Sequence, residues 1–208
     1  MAATITHTTV AVGTDAGNGE IRKAQWNEAH AISGTIDVAN GGTGAATARI
    51  AAKNLSVPYV FAQSGATVSV GSVTTEEALA TITIPGGAMG ANGWVTVIAS
   101  WDVTNSANTK TLRIRAGGVS GTVMYGQGFA ASEIVTRVTH ILNTDSETAQ
   151  HALLITANAI GYGNVTGTRP SSTVDTTADW DLVITGQKTV SGETISLRGY
   201  QVIIGYGA

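Results

Sequence analysis

From residue 57 to residue 208, apolar and polar positions alternate with a period of two, the period of a strand that lays one face on a core. The candidate strands are 57–63, 67–70, 78–84, 94–103, 109–116, 122–125, 133–142, 151–156, 180–185 and 194–206. Turn-forming runs such as Pro85-Gly86-Gly87, Gly117-Gly118 and Ser191-Gly192 separate them, a spacing that predicts an antiparallel sandwich with about eight strands in a jelly roll. The alternation also assigns faces. Leu112 and Ile114 belong to the core while Thr111, Arg113 and Arg115 face water, and Trp180, Leu182 and Ile184 share an inward face opposite Asp181. Residues 94–103 are apolar on both faces, with Val95, Val97, Ala99 and Trp101 on one and Trp94 and Ile98 on the other. That strand is expected inside the sandwich or at a subunit interface. The last strand carries Gly199 where a bulge would let a long strand bend.

Before residue 57 the pattern is different. Residues 5–12 alternate weakly, as a short strand that pairs with a neighbouring chain or a host particle. After the turn-forming run 15–19, Ile21, Ala24, Trp26 and Ala29 fall along about two turns of helix, with His30 four residues after Trp26 on the same side. The spacing reads as a packing anchor, Trp26, with His30 as its neighbour, and nothing nearby completes a catalytic set. Residues 32–38 alternate like a strand and stop at a glycine turn, Gly41-Gly42-Thr43-Gly44. A helix over 46–54 follows, with Thr47 as N-cap and Ala48, Ala51, Ala52 and Leu55 on one narrow face. A two-turn helix is marginal alone in water, and its small side chains suit close association with copies of itself.

Composition narrows the classes. Hydrophobic content of 43% with 12% charged residues argues for a folded chain, and 26 glycines against 3 prolines suit short strands and tight turns. A net charge of −3 supplies no basic field for nucleic acid. The absence of cysteine removes disulfides, thiol catalysis and thiolate metal sites. No apolar run approaches the roughly 20 residues of a membrane-spanning helix, and the first residues lack the pattern of a signal peptide. The expectation is a soluble protein made in the cytoplasm, without membrane insertion.

Candidate chemistry is sparse. A glycosidase needs two carboxyl groups flanking the sugar bond, and the candidates are Glu76, Glu77, Asp102, Asp175, Asp179 and Asp181. Asp179 and Asp181 would also start an oxygen-ligated calcium site, against the simpler reading of solvated strand ends. His7, His30, His140 and His151 are too scattered for a metal cluster, although His140 and His151 flank a probable hairpin. No GxSxG elbow, GxGxxG turn or phosphate loop is present. The sequence therefore predicts no enzyme, no cofactor and no metal.

One stretch carries a resemblance. The pattern IxKAxWNxxHxIxGxI, here Ile21, Lys23-Ala24, Trp26-Asn27, His30, Ile32, Gly34 and Ile36, is followed by Gly41 to Ala45, Thr47-Ala48 and Asn54-Leu55. Together these resemble the N-terminal and neck regions of tailed-bacteriophage fibre and receptor-binding proteins. The resemblance covers about a sixth of the chain and departs after Leu55, where many relatives continue into a repetitive shaft; a short appendage is expected instead. It implies a homotrimer with three segments: residues 1–40 attach to a phage tail, baseplate or capsid protein, residues 41–56 form a helical neck, and residues 57–208 form a jelly-roll-like β head. Ile21, Trp26, Asn27 and His30 are then the virion-attachment residues. Gly41, Gly42, Thr43, Gly44, Ala48, Ala51, Ala52 and Leu55 form the trimer neck. The head would meet a bacterial surface glycan or protein through Tyr125, Gln127, Phe129, Tyr162, Asn164 and Arg169, in the two longest stretches that read as irregular. The alternatives are a structural virion protein (head fibre, decoration or adaptor) that recognises no receptor, and a free carbohydrate-binding module.

Overall fold

The structure, a computed structural model, describes residues 4–7, 30–33, 36, 42–131, 133–153 and 169–208. It is mainly β and divides into two compact units, Met1–Leu55 and Ser56–Ala208.

In the first unit, β1 (Thr4–His7) pairs antiparallel with β2 (His30–Ser33), Thr4 opposite Ser33 and His7 opposite His30. This corrects three expectations. The early strand pairs with its own chain rather than with a neighbour or a particle. His30 lies in a strand, not a helix, because the ladder to β1 supplies its backbone partners, a long-range effect that helical spacing cannot register. Of the strand expected over 32–38, Ile32 and Ser33 lie in β2 and Ile36 lies outside it, while 34–35 and 37–38 fall outside the described residues. The expected helix around Trp26, with Ile21 and Asn27, falls outside the described residues, as does Gly41. The helix α1 (Ala48–Asn54) starts two residues later than expected, behind Thr47. Thr47 is extended, with φ −129° and ψ 151°, and its hydroxyl accepts from the Ile50 amide at 3.4 Å, the geometry of an N-cap.

The second unit is an antiparallel β-sandwich. One sheet, in the order β11-β10-β9-β6-β13-β3, contains Ser171–Ser172, Gln150–Leu153, Ile134–Asn143, Trp94–Val103, Ile195–Gly205 and Tyr59–Ser64, with β4 (Val68–Ser69) also on β13. The other, in the order β5-β12-β7-β8, contains Glu77–Ile84, Trp180–Lys188, Lys110–Ala116 and Thr122–Phe129. The pairing is nested: β3 with β13, β5 with β12, β6 with β9 and β7 with β8. Both sheets turn apolar residues inward, and their inner faces meet in one core. Val95, Val97, Ala99 and Trp101 of β6 are fully buried, as are Leu112, Ile114, Leu182 and Ile184 opposite.

Most strand positions follow the alternation, and β6 has the expected bounds. The β13–β6 register shifts between Leu197 and Gly199, so Gly199 sits at a bulge as its position suggested. The two-residue β11 is too short to show a period and was not expected. Arg113 and Arg115 point away from the core, but they do not stand free in water. Arg115 makes a bidentate pair with Glu76 at 2.8 and 2.7 Å, and Arg113 reaches the same carboxylate at 3.0 Å. Glu76 precedes β5 and spans the outer surface of β12 and β7, so a charge from outside the strand pattern covers these arginines.

Candidate functional site

β8 is the edge strand of the smaller sheet, and its sequence TVMYGQGF alternates large side chains with glycine from Tyr125 onward. Tyr125 lies opposite Ile114, Gln127 opposite Leu112 and Phe129 opposite Lys110, and all three β7 residues are buried inward. Directly opposed residues of an antiparallel pair share a face, so Tyr125, Gln127 and Phe129 line the interior side of this edge. Gly126 and Gly128 take the outer face, where an added Cβ would crowd Val123 or Thr109 at 2.9 Å.

On the facing sheet, β9 stands near β8. Arg137 of β9 lies opposite the fully buried Ala99 and therefore faces inward, toward β8. Tyr125, Gln127, Phe129 and Arg137, each half-buried, meet where these two strands approach.

These four side chains form one connected set. The Arg137 guanidinium carbon lies 5.2 Å from the centre of the Phe129 ring, within cation–π range. Its Nη1 donates to the Thr136 carbonyl at 2.8 Å. The Tyr125 hydroxyl donates to Gln127 Oε1 at 3.3 Å. Burial pushes the Tyr125 phenol up, and the Arg137 charge opposes that rise. Tyr125 and Phe129 rest on the core, so the cluster is held by rigid strands. Its chemistry is aromatic faces, one amide and one cation, an inventory that suits binding.

The expected irregular run 124–132 is therefore a strand as far as Phe129, and the three residues chosen there are side by side on one face. Glycine is depleted in strands, and Gly126 and Gly128 disguised the period. Arg137 was missed, although its phase was legible: it shares the inward alternation of Val135 and Ile141. Arg169 is exposed just ahead of β11. Tyr162 and Asn164 lie outside the described residues.

The candidate acids are engaged in local structure. Asp179 accepts from the Gly86 amide at 2.8 Å, Asp181 from the Thr83 hydroxyl at 2.7 Å, and Asp175 from the Thr177 hydroxyl and amide at 2.7 and 2.9 Å. Asp102 pairs with Arg198 at 2.8 Å, and Glu77 accepts from the Gly71 amide at 2.6 Å. The buried Glu193 meets the fully buried Lys110 at 3.9 Å and accepts from Ser106 and Asn108, while Lys188 donates to its carbonyl at 2.6 Å. Among the described residues no group of three or more His, Asp or Glu could hold a metal ion. On the outer face of the larger sheet, His140 Nδ1 lies 2.7 Å from the Thr96 hydroxyl and its ring meets Trp94 edge-on. Burial lowers the His140 pKa. His140 opposes Leu153 and His151 opposes Leu142, so the two histidines are diagonal neighbours on that face.

The neck residues form a local clasp. Gly44, at φ +64°, donates its amide to the Ile36 carbonyl at 2.9 Å, and a Cβ on Gly42 would collide with Ile36. The Asn54 amide donates to the Thr43 and Gly44 carbonyls at 3.0 and 3.2 Å, tying the helix end to the turn. Of the Ala48, Ala51, Ala52 and Leu55 face, Ala52 is buried and Leu55 is 46% exposed.

No family model and no curated protein matches the chain. Among solved structures it is similar to the CBM2 module of the evolved Dit of Lactobacillus casei BL23 phage J-1, at 12% identity over 62% of this chain and 70% of that one, with a TM-score of 0.31. It is also similar to chains from the infectious bursal disease virus Gx strain and VP2 subviral particle, each at 10% identity over 72% of this chain and 42% of theirs, with TM-scores of 0.28 and 0.23. At such scores the likenesses carry no inference about function.

Proposed function

We propose that the protein is an appendage of a tailed-phage virion that binds the host surface through the side-chain cluster on β8 and β9 of its β-sandwich. The observation that carries the binding half is the set Tyr125, Gln127, Phe129 and Arg137: aromatic faces and fixed polar groups on two rigid strands, half-open to solvent. The virion half rests on the resemblance of residues 21–55 to fibre attachment and neck segments. In this reading residues 1–40 dock on the particle, 41–56 join three copies, and 57–208, a jelly roll in its nested strand order, is the head.

A homotrimer accounts for two apolar features, one exposed and one half-buried. Ile50, in the first turn of α1, and Leu55, just past its end, are 40% and 46% exposed. The outer face of the larger sheet carries Trp94, Ile98, Val138, Leu142 and Ile203 with no acidic or basic residue among the outward positions from Trp94 to Ser100 or from Thr136 to Leu142 except His140. An uncharged sheet face of this kind suits a second copy of the same chain.

A purely structural particle protein is the second reading, favoured by the packing of Tyr125 and Phe129 on the core, which also plugs the sandwich edge. Deleting the gene from the phage separates the two. Loss of adsorption with intact particles is the result expected here; normal adsorption with fragile or incomplete particles would favour the structural reading.

A further inference from the structure

Six cations lie on the described sandwich strands: Lys110, Arg113, Arg115, Arg137, Lys188 and Arg198. Lys110 meets Glu193, Arg113 and Arg115 share Glu76, and Arg198 meets Asp102. Lys188 donates to the Glu193 carbonyl beside that same carboxylate. Arg137 differs, since no carboxylate among the described residues lies within ion-pair range of it. A half-buried guanidinium normally has an acid partner, because desolvating a charge is costly without compensation. Here the partial compensation is one backbone carbonyl and the Phe129 face.

We infer that Arg137 is the anchor for an anionic group on a saccharide, a carboxylate or a phosphate, that binds at the exposed part of the Tyr125, Gln127, Phe129 and Arg137 cluster. The inference rests on the binding reading proposed above and specifies the ligand class. A guanidinium has five N–H donors in a planar fork that matches carboxylate and phosphate oxygens in pairs. One Nη1 bond goes to the Thr136 carbonyl, which leaves donors for an incoming oxyanion. Stacking on Phe129 fixes the plane of the fork, and Gln127 sits beside Tyr125 with an amide for a sugar hydroxyl. An acidic side chain nearby would oppose such a ligand, and β8 and β9 carry none, their residues from Thr122 to Phe129 and from Ile134 to Asn143 being free of Asp and Glu.

The test is direct binding of the full-length protein to three polymers of matched size: polygalacturonate, with carboxylates; a poly(glycerol phosphate), with phosphodiesters; and neutral dextran. Polyanion binding is expected to exceed dextran binding. Arg137→Gln should weaken it by about tenfold or more at an unchanged melting temperature, and Arg137→Lys should restore only part, because a point charge lacks the fork. Preference for one polyanion identifies which oxyanion is read. If Arg137→Gln does not fold, the wild-type salt dependence decides: polyanion binding falls steeply between low and high salt when the anchor is a charge pair. Dextran bound as tightly as both polyanions, with no salt dependence and no effect of Arg137→Gln, overturns the anionic ligand but keeps the binding reading. No binding to any of the three overturns both.

Discussion

At the scale of single residues, the sandwich spends its few charges in fixed places. Glu76 holds two guanidinium groups and the Thr185 hydroxyl, and the hydrogen bond from Arg115 keeps its carboxyl below the usual glutamate range. A carboxylate whose folded pKa is depressed contributes stability above its unfolded value, about 4.3, and loses it as pH falls through the folded value. Glu76→Gln should therefore cost about 2 kcal/mol near neutral pH, since both arginines lose their counter-charge in a partly buried site. The gap in melting temperature between variant and wild type should close below about pH 4. A gap that stays constant down to pH 3 would show that the ion pairs are not its source. Arg115 illustrates how such a site escapes a sequence reading. Its outward phase on β7 was legible, but its acid comes from just outside a strand 39 positions away in the chain.

At the scale of elements, β13 ties the larger sheet together. It lies between β6 and β3, and Val202 and Ile204 are fully buried. Removing Ile203 to Ala208 strips the end of an interior strand, along with the Gly207 carbonyl that accepts from Asn92 and the Gly207 amide that donates to Met89. The truncated chain is expected to lack a cooperative thermal transition, as followed by circular dichroism; a soluble product that melts cooperatively would contradict the role given to β13. Strands such as β6 and β12 were legible because runs of branched and aromatic residues mark them, in β6 on both faces. β8 was legible only in its first half, because its outer face is built of glycines. β1, β2 and β11 are set by their partners and have too few residues to show a period. Within the first unit, the glycine turn and Thr47 cap were legible because each follows from local geometry. Gly42→Ala should break the clasp on Ile36 and destabilise the region around α1, read out as lost amide protection there by hydrogen exchange. Unchanged protection would show that the close approach is not needed.

For the whole molecule, the account joins an anchor, a neck and a binding head. It predicts a solution mass near three times 21.1 kDa by light scattering, with a monomer at all concentrations as the contrary result. The sandwich was legible as a class, since ten alternating runs with turns between them leave few other ways to bury both faces. The meeting of Arg137 with Tyr125 and Phe129 was not, because it depends on which strands of the two sheets face each other, and that is written in no local pattern. The measurement that tests the central claim most directly is binding of the full-length protein to an array of bacterial surface polysaccharides, alongside Tyr125→Ala and Phe129→Ala. The account predicts selective binding by the wild type and at least about tenfold weaker binding by both variants at unchanged secondary structure. Variants that bind as the wild type does, or a wild type that binds nothing on the array, would contradict it.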